Sequence, residues 1–287
     1  LGKTVHGQAE VRYIESHAQK TRVFDSRRSQ AALHLSRDLS ETKALSLNAS
    51  SERVRLYHDP ASPDYRRDEL FAHFQNQQRR YALNLEYGRS RVSYEQRQYP
   101  TVTRPLARFA FDWTASDHQS LTLSARRQFS DAAQDLMLRA NEPAVSTTHG
   151  ITTGDAVVSP EVFLERYAEL AWAMRSERST LSLAPYYRRL DYLHDTSMSQ
   201  HGRGGNLGWS YHLRPATWLT AWAGTERIDY STLARRDRMR TWGLGITNQR
   251  TPHWSWNASF SHQQRDSDVA TASFRENRIY LGVTYQR

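Results

Sequence analysis

Alternation with a period of two residues runs through nearly all of this 287-residue chain. Ile279, Leu281, Val283 and Tyr285 interleave with Arg278, Tyr280, Gly282, Thr284 and Gln286, and Phe109, Phe111 and Trp113 interleave with Arg108, Ala110 and Asp112. Successive side chains of a strand point to opposite faces, so each such segment has one apolar and one polar face. Segment after segment reads this way. The chain has to build a wall with an apolar side and a wet side.

Composition decides what kind of wall. Hydrophobic residues make up only 38% of the chain and the mean hydropathy is −0.79, values that suit a weak core. Yet there are 8 Trp, 15 Tyr and 9 Phe, and disordered chains are poor in aromatics. A membrane barrel reconciles the two, because only its outer band needs to be apolar. No apolar run is long enough for a transmembrane helix. Cysteine is absent, which removes thiolate metal sites, cysteine nucleophiles and disulfides. Leu1-Gly2-Lys3-Thr4 lacks the regions of a secretory signal; the signal such a barrel needs is expected to be removed or to lie outside this sequence.

Alternation and turn residues place strands over 3–14, 20–36, 43–57, 66–76, 80–97, 102–115, 119–130, 160–175, 178–192, 203–214, 217–231, 236–250, 253–266 and 273–286. Ala31, Leu33, Leu35, Leu45, Leu47 and Ala49 belong to the apolar side. Three places are less regular. Phe71 and Phe74 fall on opposite faces of the fourth strand. The pattern changes phase at Val92 and Tyr94, which suggests a bulge. The eleventh strand has Trp218 and Trp222 on one face and Leu219, Ala221 and Ala223 on the other. Links after even-numbered strands are tight, and the others are mostly longer and polar, the asymmetry of outer-membrane barrels with short periplasmic turns and long external loops. The expected fold is therefore all-β: a transmembrane antiparallel up-and-down β-barrel of about 14 strands (about 12–16), one domain over residues 1–287, in the outer membrane. A soluble sandwich, propeller or solenoid is the competing fold; low Gly and Pro content and the lack of a fixed repeat argue against it. Trp113, Tyr87, Tyr187, Trp209, Tyr211, Trp254, Trp256 and Tyr285 suit an interfacial girdle.

With the apolar residues facing lipid, the lumen receives Arg12, Arg80, Arg108, Asp112, Arg126, Glu165, Glu169, Arg188, His212 and Arg278, together with His6, Glu10, His34, Glu52 and Glu86. Two readings stand side by side: a charged pore in which Arg rings favour anions, and a lumen closed by Arg–carboxylate ladders across strands. Tyr167, Tyr186 and Tyr280 are candidates for stacking on sugars, or for packing in the wall. The excursion over 131–159 is read as a long external loop with a short helix at its start after Ser130; the alternative folds it inward.

No catalytic constellation emerges. His58, His118, His149, His201, His253 and His262 are scattered, and neither G-x-S-x-G nor H-E-x-x-H occurs. No metal site and no cofactor are expected. The net charge of +9 comes mostly from Arg spread over strands and loops. No basic helix or zinc motif gathers it, so the partner is not nucleic acid. A positive lumen, or a basic rim meeting anionic lipid, explains it better.

Several segments resemble the β-barrel porins that accompany exopolysaccharide and PEP-CTERM/exosortase gene clusters in Gram-negative bacteria. They are Phe129-Ser130-Asp131-Ala132-Ala133-Gln134-Asp135-Leu136, Leu164 to Leu170, Tyr186 to Tyr192, Arg235-Arg236-Asp237, Trp242-Gly243-Leu244-Gly245 and Glu276 to Tyr285. Together they span roughly the C-terminal 60%, and their order and spacing carry more than any one of them. The resemblance implies an outer-membrane barrel in polysaccharide export or assembly and supplies no catalytic residues. The last strand also resembles the signal read by the barrel-assembly machinery, with Gly282 and Tyr285 in place and Arg287 where an aromatic is usual. The expected partners are outer-membrane lipid or lipopolysaccharide, a polysaccharide, periplasmic export components and that machinery. A closed scaffold barrel binding a partner protein, and less so a rim enzyme acting on lipid or glycan, are the alternatives.

Overall fold

The computed structural model describes residues 5–16, 25–56, 63–96, 98–131, 161–251 and 253–285. Fourteen antiparallel strands follow one another in chain order in one sheet. They are β1 (Val5–Ser16), β2 (Ser26–Ser40), β3 (Lys43–Leu56), β4 (Tyr65–Gln77), β5 (Tyr81–Tyr94), β6 (Val102–Ser116), β7 (Gln119–Ser130), β8 (Phe163–Arg175), β9 (Ser179–Tyr192), β10 (Gln200–Arg214), β11 (Thr217–Tyr230), β12 (Arg236–Gln249), β13 (Trp254–Ser267) and β14 (Phe274–Tyr285). The links after even-numbered strands contain two to four residues, and the others five or more. The chain divides into two compact units. One comprises Leu1–Asp112, Ser124–Tyr167 and Arg189–Ser199; the other comprises Trp113–Leu123, Ala168–Arg188 and Gln200–Arg287.

In the first unit, Leu33 and Leu35 of β2 and Leu45 and Leu47 of β3 are exposed, while Arg28, Ser46, Glu52 and Val54 on the opposite face are buried. Polar side chains thus cover one another on the inner face, and the outer face presents hydrocarbon, the reverse of a soluble protein. The second unit repeats this: Trp242 and Leu244 of β12 are exposed, and Asp237 and Met239 on its other face are buried.

The irregular places have separate causes. β2 runs past the expected link at 37–42, because Arg37 still pairs with Leu45 and Asp38 with Ala44; a register irregularity follows between Asp38 and Ser40. No bulge interrupts β5 where it pairs with β4. Its ladder with β4 is continuous from Tyr65↔Tyr94 to Gln77↔Ala82. The backbone keeps its phase while the hydrophobic pattern inverts: Val92 stays on the inner face and joins an apolar cluster with Val54, Tyr65, Phe129, Val162 and Leu164. Phe71 takes the inner face of β4, where the Arg108 guanidinium lies 5.4 Å from its ring. In β11, register settles the orientation. Trp222 pairs with Gly208 and Trp218 with His212, which sets both indoles on the inner face and Leu219, Ala221 and Ala223 outside. The helix expected at the start of the 131–159 excursion lies outside the described residues.

Candidate functional site

The inner faces of the two units differ in chemistry. In the first, an ion-pair network crosses from β2 to β8. Asp131, just beyond β7, accepts from Arg28 at 2.5 Å and from the Tyr65 hydroxyl at 2.5 Å. Arg28 also donates to Glu52 at 3.3 Å, and Arg67 donates to Glu52 at 2.6 Å and to the Phe129 carbonyl at 2.8 Å. Glu69 accepts from Ser90 at 3.1 Å and from Arg108 at 3.2 Å. Arg108 reaches on to Glu86 at 2.7 Å and Gln128 at 2.6 Å. Arg126 grips Glu165 with two bonds, 2.8 and 2.9 Å, and lies 4.1 Å from the centroid of the Tyr167 ring.

Four guanidiniums (Arg28, Arg67, Arg108, Arg126) thus meet five carboxylates (Glu52, Glu69, Glu86, Asp131, Glu165). Their charges nearly cancel, so this face presents no excess of positive charge. Bidentate and bridging guanidinium–carboxylate bonds also hold side chains in fixed places. Arg28, Glu52, Glu69, Asp131 and Glu165 are buried beside the apolar cluster, whereas Arg108, Arg126 and Glu86 are half-buried.

The second unit carries small and aromatic side chains on its inner face. Register sets Gly208, Trp222, Gly243, Ser261 and Arg278 in one inner row, and Ser210, Thr220, Gly245, Ser259 and Tyr280 in the next. Trp222 is 37% exposed and Tyr280 55%. A Cβ on Gly243 would sit 2.2 Å from Cζ2 of Trp222. Only glycine lets the indole lie across the wall there. The direct row neighbours of Trp222 are glycines, and Ser210, Thr220 and Ser259 in the next row are short and hydroxylated.

The residues singled out in the sequence fall as follows. Arg108, Arg126, Glu165 and Tyr167 come together in the first unit, with Tyr167 buried under Arg126. Arg12, also there, pairs with Glu10 at 2.6 Å. Arg80 lies exposed in the tight link between β4 and β5, off the strand wall. Asp112 and Glu169 share the inner parity of β6 and β8. In the second unit, buried Tyr186 lies against Gly204, and Arg188 pairs with Glu226 at 3.3 Å. His212 meets Trp218 edge-on at 5.5 Å, and Arg278 pairs with Glu276 at 2.9 Å. Of the three tyrosines proposed for stacking, Tyr280 is accessible, whereas Tyr167 and Tyr186 are packed into the wall. Trp222, Arg28, Arg67, Glu69 and Asp131 were not singled out. Parity alone nominates Arg28, Arg67 and Glu69, whereas Asp131 lies past the end of its strand. Among the histidines, His262 bonds Asn277 at 2.7 Å and His201 lies 3.8 Å from Asp229; His58 and His149 lie outside the described residues.

Residues 203–287, the span of β10–β14, match a protein family described as "Putative beta-barrel porin 2". No curated protein matches the chain. Among solved structures, the copper transporter OprC superposes with a TM-score of 0.54 at 12% identity, covering 91% of this chain and 51% of that one. This chain therefore spans about half the length of that transporter. OmpT, an outer membrane protein of Vibrio cholerae, superposes with a TM-score of 0.48 at 10% identity over 99% of this chain and 95% of that one. The chain is an integral outer-membrane β-barrel, and its last five strands are similar to a porin family.

Proposed function

We propose that this barrel is a passive conduit for a polysaccharide crossing the outer membrane, in keeping with the exopolysaccharide-associated porins its sequence resembles. The observation that carries the reading is Trp222 lying across Gly243 on the inner face, more than a third exposed. An indole held against the wall offers its π-face to the apolar face of a pyranose. Thr220 and Ser261, in or beside its row, supply neutral hydroxyls for the sugar's own. A conduit needs sites weak enough to leave as well as to enter, and Trp222, with the accessible Tyr280 in the next row, meets that need. The glycan passes unchanged; no covalent step is involved.

Planar-bilayer recording tests this. Soluble oligosaccharide added to one side should interrupt the current transiently, and Trp222→Ala should shorten the interruptions. Folded protein that passes no current would sink the conduit in favour of a closed scaffold barrel. That second reading draws on the ion-pair network and apolar cluster filling part of the first unit's inner face.

A further inference from the structure

The outward face of β10–β14 changes character along its height. Register sets Trp209, Ala221, Leu244, Phe260 and Ile279 in one apolar row. Four residues along each strand toward the long links, the row reads Gly205, Thr225, Arg240, Gln264 and Arg275, and the row beyond it Arg203, Arg227, Arg238 and Asp266. Arg203 pairs across β10–β11 with Arg227, and Arg227 pairs across β11–β12 with Arg238. Like charges directly opposite one another are unfavourable. Arg227 shares Asp229 at 3.2 Å with Arg236 at 2.6 Å. Arg203, Arg238, Arg240 and Arg275 are exposed and have no carboxylate partner among the described residues.

The other end of the same face is aromatic: Trp254 and Tyr285, beside the short links, lie 4.9 Å apart. The two ends therefore meet different surroundings. Long links are external in this class of barrel, so the arginines stand at the headgroup level of the outer leaflet. In the first unit Arg53 stands opposite Arg66 in register, but there each holds a carboxylate, Glu95 and Asp68 respectively.

We propose that Arg203, Arg227, Arg238 and Arg240 bind the phosphates of lipopolysaccharide in the outer leaflet, with its acyl chains against Leu207 and Trp242. Guanidinium forks match phosphate oxygens two at a time. A phosphorylated glycolipid supplies both the missing negative charge and the hydrocarbon that the rows below require. The site is separate from the conduit and stands or falls independently of it.

The test uses the full chain folded in detergent and fluorescent lipopolysaccharide. The triple variant R203Q/R238Q/R240Q should bind about a hundredfold more weakly. Dephosphorylated lipopolysaccharide should bind the unaltered protein with a similar loss. R278Q, on the inner face, should bind as the unaltered protein does. Heat-modifiable gel mobility checks folding; if the triple variant fails it, R240Q alone should still weaken binding about fivefold. Undiminished binding by the folded variants would overturn the proposal. So would unaltered protein that holds phosphatidylglycerol as tightly as lipopolysaccharide, because the surface would then select charge alone.

Discussion

Arg28 on β2 and Asp131 beyond β7 stand 103 positions apart in the chain, and their side chains meet at 2.5 Å with 3% and 2% of their side-chain surfaces exposed. The pair ties the start of the long β7–β8 link to the inner face of the first unit. Removing one partner strands a buried charge, so Asp131→Ala should cost about 3–5 kcal/mol. Replacing both with apolar residues (Arg28→Met with Asp131→Leu) should recover most of that loss. Urea unfolding in lipid vesicles reads both; equal losses in the single and double variants would show that the pair is not the cause.

Phe129 is fully buried in the apolar cluster with Val54, Tyr65 and Val92. Phe129→Ala should destabilise the barrel by about 3–5 kcal/mol, since surrounding side chains only partly collapse into the space. The same unfolding assay measures it. A loss under about 1 kcal/mol would mean that the cluster is loosely packed.

A methyl group on Gly243 would also meet the Phe260 carbonyl oxygen at 2.7 Å. Gly243→Ala therefore has to displace the Trp222 indole, at about 1–3 kcal/mol of strain. Oligosaccharide interruptions of the current should shorten as they do in Trp222→Ala. Interruptions of unaltered length would remove Trp222 as the platform.

His194, in the link between β9 and β10, packs edge-on against Tyr94 and at a tilt against Tyr99, with ring centroids 4.6 and 4.4 Å away. Burial pushes its pKa below the ordinary histidine value. The unfolded chain then takes up a proton before the folded one, so stability is retained above the ordinary histidine range and falls as pH drops through it. Limited proteolysis across that range should show faster cleavage of this link in acid, and His194→Phe should flatten the dependence. An equally steep profile in His194→Phe would place the titrating group elsewhere.

Much of the wall was legible in the sequence. β7 falls on its expected bounds of 119–130, and β6, β9 and β11 to β14 come within a residue at each end, because a membrane-facing strand repeats its pattern without interruption. Readings failed where the inner face stops being polar. In the sequence the change of phase at Val92 and Tyr94 suggests a bulge, since alternation records hydrophobicity and cannot tell lipid from an internal cluster. Trp218 and Trp222 were ambiguous for the same reason. Arg108, Arg126, Glu165 and Tyr167 were found by parity, but not that they join one network.

The sequence by itself determined the strands, the alternation of short and long links, and which face meets lipid, because these depend on spacing along the chain. Tertiary structure decided the rest. It paired Arg28 with Asp131 and held Trp222 over Gly243. It also aligned Arg203, Arg227 and Arg238 across three strands. Each of these depends on register between strands, and register follows from how a whole ladder closes, which no single segment encodes.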